Sequence, residues 1–110
     1  IKDYIGENEE NFTVFENRVS TGKLTEVISD IKSDNKDIIS TRILWLSGLE
    51  DGFNKGGNLD SYSRYIYIHG TNEEGMLGKK ASHGCIRMSN NDIIDLCNSK
   101  INNSIVYISK

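Results

Sequence analysis

Both histidines, His69 and His83, and one of the two cysteines, Cys85, fall within residues 66–88 (IYIHGTNEEGMLGKKASHGCIRM) of a 110-residue chain. A thiol attacks carbonyls only as its thiolate, and an imidazole within hydrogen-bond reach can take the proton. Cys85 sits in Ser82-His83-Gly84-Cys85-Ile86-Arg87-Met88, and His69 lies sixteen residues upstream, after an alternating apolar pattern. His69 and Cys85 therefore read as base and nucleophile. A histidine at a strand end is commonly structural, but this one is followed by glycine and tied by its motif to a cysteine, the combination that catalysis requires. The same three side chains are also candidate metal ligands. Structural zinc needs four ligands, and this spacing fits no zinc pattern, so neither metal nor cofactor is expected.

A His-Gly pair, a glycine-rich interval of this length, and Ser-His-Gly-Cys followed by an apolar residue and Arg together resemble the catalytic motif of the L,D-transpeptidase catalytic domain. These are the cysteine enzymes that cross-link bacterial peptidoglycan. Residues 41–48 (TRILWLSG) and 49–60 are similar to that family as well, so the likeness is strong from residue 41 to the C-terminus.

The resemblance implies acyl transfer. Cys85 attacks the carbonyl of an L-centred residue that precedes a terminal D-amino acid in a stem peptide, and an amine of a neighbouring stem resolves the thioester. With water as acceptor the chain would be an L,D-carboxypeptidase. A non-catalytic wall-binding fragment that keeps the site residues is the remaining reading. The family's orienting acceptor for the histidine is a backbone carbonyl at the next residue, here Gly70. The amides of Gly84 and Cys85 are the candidate oxyanion donors, each worth roughly 3 kcal/mol of barrier, and a helix opening near Ser89 would place partial positive charge close to the thiol. Ser82, His83, Tyr67 and Trp45 are candidates for the substrate side, His83 as a brace or donor. Trp45, the single tryptophan, reads first as a packing aromatic and second as a groove wall. Arg87 either grips a substrate carboxylate in a fork or pins the turn. The implied partners are peptidoglycan stem peptides, with carbapenem-type β-lactams as covalent inhibitors, and the implied location is the bacterial cell envelope, periplasmic or secreted.

Charge points away from nucleic acid. Thirteen basic against sixteen acidic residues leave a net charge of −3, and the one basic cluster is Lys79-Lys80, too little for phosphate-backbone binding. No apolar run is long enough to span a membrane and no signal sequence opens the chain. The length bounds a single domain, residues 1–110. The chain has no proline, whereas the family usually carries a Thr-Pro-x-Gly-like turn and one or two strands further upstream. A domain truncated on its N-terminal side is the expectation.

The elements that must position the site are read from periodicity. Residues 12–18 (FTVFENR) alternate as a half-buried strand, broken by Ser20, Thr21 and Gly22. Leu24, Val27, Ile28 and Ile31 fall at helical spacing and predict a short amphipathic helix, followed by a polar loop at 33–37. Residues 41–47 predict a strand covered on both faces. Eight of the ten glycines lie between Gly48 and Gly84, so loop backbone is expected to shape the site, with 49–62 as a mobile flap. Residues 64–69 predict a strand with Ile66 and Ile68 on one face and Tyr65, Tyr67 and His69 on the other. Ser89 and Asp92 predict a helix cap ahead of Ile93, Ile94, Leu96 and Cys97, and residues 104–109 predict a closing strand. Cys97 should be a buried free thiol, held by the helix too far from Cys85 for a disulfide. The expected fold is mainly β, an L,D-transpeptidase-like sandwich or barrel with one helix after Cys85.

Overall fold

The computed structural model describes residues 1–29, 38–79, 84–99 and 104–108. Six strands form one mixed sheet: β1 (Asp3–Ile5), β2 (Thr13–Glu16), β3 (Val19–Leu24), β4 (Ile39–Trp45), β5 (Tyr67–Thr71) and β6 (Ile86–Met88), followed by the helix α1 (Asn90–Asn98). The order is β3-β2-β4-β5-β6, and β1 also pairs with β4. All pairings are antiparallel except β5 with β6. The domain is thus mainly β with one α-helix.

The sheet has two faces because side chains alternate along each strand. One carries Leu44, Leu46 and Ile68, against which α1 packs Ile93 and Cys97, with Tyr4, Ile66, Ile86, Met88 and Val106 at the margins. The other carries Phe15, Ile43 and Tyr67, with Ile5, Ile39, Trp45 and Cys85 beside them. β4 is buried through its centre, as a strand covered on both sides must be. A bulge interrupts it between Ser40, paired with Gly70, and Ile43, paired with His69. Thr41 consequently takes a φ of 72°, a region that a β-branched residue occupies only when its surroundings hold it there.

That hold comes from Asn90, which is fully buried. Its Oδ1 accepts from Ser40 Oγ and Thr41 Oγ1, both at 2.6 Å. Its Nδ2 donates to Thr71 O at 2.8 Å and Glu74 Oε2 at 2.7 Å. One side chain thereby ties the bulge, the end of β5 and the start of α1 together. The predicted cap is present, with Ser89 Oγ accepting from the Asp92 amide at 3.1 Å, and Cys97 is buried and forms no disulfide. The buried stripe of α1 is Asn90, Ile93 and Cys97, whereas Leu96 is exposed.

Several elements differ from the sequence expectation. Ser20, Thr21 and Gly22 do not end the pattern but continue into β3, because Asn17-Arg18 reverses the chain and Thr21 Oγ1 donates to Val14 O at 2.8 Å. The helix expected from Leu24 is not formed. Leu24 closes β3, and Ile28 is held by backbone bonds, its amide to Asn72 O at 2.7 Å and its carbonyl from the Gly75 amide at 3.0 Å; Ile31 and the 33–37 loop lie outside the described residues. β5 begins at Tyr67, since Tyr65 has a φ of 57° and cannot continue a strand. Residues 104–108 form no strand; Ile105 and Tyr107 are 77% and 88% exposed, although Val106 still packs on the core.

Candidate active site

β5 places the imidazole. His69 sits at the strand's centre, 1% exposed, on the face opposite Ile68 and in register with Ile43 on one side and Arg87 on the other. Its Nδ1 is 2.6 Å from the carbonyl oxygen of Gly70. A carbonyl only accepts, so Nδ1 carries the hydrogen, and in the neutral ring Nε2 is left with the lone pair. The backbone thus selects the tautomer that can take a proton at Nε2. Gly70 permits this geometry by having no side chain: a Cβ there would lie 2.5 Å from Ser40 O and 2.8 Å from Asn90 Oδ1.

β6 places the thiol. Because Ile86 pairs with Ile68 and Arg87 with His69, Cys85 enters the sheet level with Tyr67 and packs on the Phe15–Ile43–Tyr67 side, the face that His69 shares. It is half-buried and forms no disulfide. Its Sγ donates to Tyr65 O at 3.4 Å, a bond that only the protonated thiol makes. Gly84 has a φ of 143° and leads directly into this turn. Ser82 and His83 lie outside the described residues.

α1 packs on the opposite face of the sheet from Cys85, and two of its first amides have side-chain acceptors: Asn90 N donates to Glu74 Oε2 at 3.1 Å and Asp92 N to Ser89 Oγ. Arg87 is tied down as well. Its Nη2 lies 2.5 Å from both Glu73 Oε1 and Thr71 Oγ1, with the Arg87 and Glu73 side chains 7% and 3% exposed. Of the two roles open to Arg87, these bonds to the Glu73 and Thr71 side chains have the geometry of a pin.

An aromatic wall adjoins the thiol. Trp45 stacks on Tyr62 at 3.9 Å between ring centres and meets Tyr67 edge-on at 5.4 Å, while its Nε1 donates to Tyr62 O at 3.0 Å. Packing therefore occupies it. Arg18, at the tip of the β2–β3 hairpin, reaches over Trp45 and Tyr65 and donates from Nη1 to the Tyr67 hydroxyl at 3.0 Å. Asn17, Arg18, Ile39, Tyr65 and Tyr67 line a cleft of about 310 Å³. The loop expected as a mobile flap is internally hydrogen-bonded: Asp60 accepts from the amides of Gly48, Gly56 and Tyr62 at 2.9–3.0 Å. Those bonds lower its pKa to about 2. Tyr62 donates its hydroxyl to Asp3 at 2.7 Å, which raises its pKa above the usual phenol range.

A family model described as the L,D-transpeptidase catalytic domain (YkuD) matches residues 3–108. The chain belongs to the L,D-transpeptidase catalytic domain family. It is 39% identical over 62 residues to a putative L,D-transpeptidase YkuD of Bacillus subtilis, covering 52% of this chain and 38% of that protein. It is 38% identical over 61 residues to the protein of the same name from Bacillus licheniformis, covering 51% and 37%. The chain therefore spans less than two fifths of the length of the curated relatives it matches. No solved structure matches it significantly. Among the described residues of this L,D-transpeptidase domain, no helix is long and apolar enough to cross a membrane, and no cluster of three or more His, Cys, Asp or Glu forms a metal-holding group.

Sequence reasoning missed Thr71, Glu73, Glu74 and Asn90, which hold β5, β6 and α1 together. The one signal was the polar run Thr71-Asn72-Glu73-Glu74 directly after His69-Gly70, dense in hydrogen-bonding groups where a simple exit loop would need none.

Proposed function

We propose that the chain is a cysteine acyltransferase acting on peptidoglycan stem peptides, an L,D-transpeptidase of the bacterial cell envelope. The observation that carries this is the 2.6 Å bond from His69 Nδ1 to Gly70 O, which leaves Nε2 as the acceptor on the face that Cys85 shares. Family membership gives the same direction.

The Cys85 thiol turns from Tyr65 O and passes its proton to His69 Nε2. The thiolate forms a C–S bond to the carbonyl carbon of the L-centred residue of the donor stem, and the resulting oxyanion is met by the Gly84 and Cys85 amides. Collapse breaks the C–N bond to the terminal D-amino acid, whose amine leaves with the proton held by His69. An amine of a second stem then attacks the thioester, gives its proton to His69, and releases the Cys85 sulfur. A general base positioned this way contributes about 10²- to 10⁴-fold.

Incubation with purified stem tetrapeptide followed by mass analysis tests this. The expected products are a thioester on Cys85 and a cross-linked dimer, both absent from Cys85→Ala. A hydrolysed tripeptide alone would make the activity that of an L,D-carboxypeptidase, and unchanged tetrapeptide with unmodified Cys85 would refute acyl transfer.

A further inference from the structure

The tip of the β2–β3 hairpin is built from Asn17-Arg18, set between the paired residues Glu16 and Val19. Their φ angles are 48° and 66°, the left-handed pair of a two-residue turn whose twist suits a hairpin. Asn tolerates that region; Arg does not favour it, and glycine would occupy Arg18's position with less strain. The sequence nevertheless puts its longest cationic side chain there and folds it back over the sheet.

Its guanidinium carbon lies 4.7 Å from the Tyr65 ring centre and 5.1 Å from that of Trp45, and one donor reaches the Tyr67 hydroxyl at 3.0 Å. Among the described residues no carboxylate lies within ion-pair distance of it. Aromatic faces hold a cation in place and screen it from water without neutralising it, and a guanidinium has five N–H donors, of which the protein takes one here. Arg18 lines a cleft of about 310 Å³ together with Tyr65 and Tyr67, and Tyr65 is the residue whose carbonyl holds the Cys85 thiol.

We infer that Arg18 is a specificity residue that receives a carboxylate of the acyl-donor peptide, either that of the terminal D-amino acid or one further along the stem. This rests on the acyl-transfer function proposed above. The aromatic faces preset the guanidinium plane, so a carboxylate docking there forms charge-assisted bonds with little further ordering.

The test uses the Cys85→Ala chain, which binds donor without turnover. Its affinity is measured by calorimetry for a stem tetrapeptide with free carboxylates, for the same peptide amidated at its C-terminus, and for the peptide amidated at its other carboxylates. Adding Arg18→Gln, or Arg18→Gly to relax the turn, should weaken the free-acid peptide on the order of 10- to 100-fold, the range for a charge-assisted bond. Amidating the recognised carboxylate should cost the same factor with Arg18 present and nothing further without it, and which amide does so identifies the carboxylate. Free-acid affinity unchanged in both variants, losses that simply add, or no binding by the Arg18 chain would each overturn the inference. Thioester formation on native Cys85 separates the two levels. Equal rates with acid and both amides leave the acyl-transfer function standing and remove Arg18's role, whereas Arg18-dependent binding without any thioester removes the reaction and keeps the carboxylate site.

Discussion

The pair formed by Arg87 and Glu73 sets a strong test of what fixes β6. Both side chains are nearly inaccessible, at 7% and 3%, and are joined at 2.5 Å, so removing either takes this opposite charge away from a group that stays buried. Breaking a buried pair from one side costs about 3–5 kcal/mol, and Arg87→Met also forfeits the bond to Thr71 Oγ1, a further ~1 kcal/mol. Against the total of about 5–15 kcal/mol usual for a domain, each of Arg87→Met and Glu73→Met should remove a large share and lower Tm by roughly 12 °C or more. Replacing both should restore most of it, because two methionines of similar bulk leave no charge to desolvate. Urea titration of the four proteins gives the coupling energy, with an unchanged m-value required for the comparison. Single costs below about 1 kcal/mol, or a double variant as unstable as the two losses added together, would refute the assignment of Arg87 as a brace. A double variant that folds well but has lost donor binding would return Arg87 to the substrate.

A carbapenem-type β-lactam should acylate Cys85 alone; mass analysis should find no adduct in Cys85→Ala and formation slowed about 10²- to 10⁴-fold in His69→Ala, while label on Cys97 would contradict the site. Gly70→Ala should cost about 1–3 kcal/mol by overpacking against the Ser40 carbonyl, seen as a lower urea midpoint. Asp60, held at a pKa of about 2 against an ordinary 3.8, stabilises its loop in full above about pH 4 and loses that contribution as pH falls towards 2. Trp45 fluorescence, which reports on the neighbouring Tyr62, should show this transition, and Asp60→Asn should remove it.

His69 and Cys85 were legible as candidates because the signal is local: His69 is followed by the glycine whose carbonyl it bonds, and Cys85 lies in a short motif. β4, the α1 cap and the buried Cys97 were legible for a similar reason, since each announces itself within a few residues. Leu24, Val27 and Ile28 show where local pattern misleads. Their spacing is helical, but the Asn17-Arg18 reversal sends the chain into β3, and Ile28 instead bonds the backbone of Asn72 and Gly75. Glycine at position 22 looked like a break, yet an edge strand with a solvent side accommodates it. Arg87 with Glu73 and Asn90 with Ser40 depend on partners that only folding brings near, and no periodicity encodes them.

The parallel alignment of β5 and β6 also bears on how such a chain tolerates insertion. Parallel neighbours must be joined by a connection that returns to the start of the first strand, so the length of that connection does not set where the sulfur and the imidazole stand. The ladder offset does, with Arg87 opposite His69. Extra residues at the exposed Gly78-Lys79 turn lengthen that connection at small entropic cost. One residue added between Cys85 and Arg87 would instead turn the sulfur to the α1 side of the sheet. The separation of Cys85 from His69 is stored in the backbone hydrogen bonds of two short strands, which makes β6 intolerant of length change while the exposed turn at Gly78-Lys79 is free to vary.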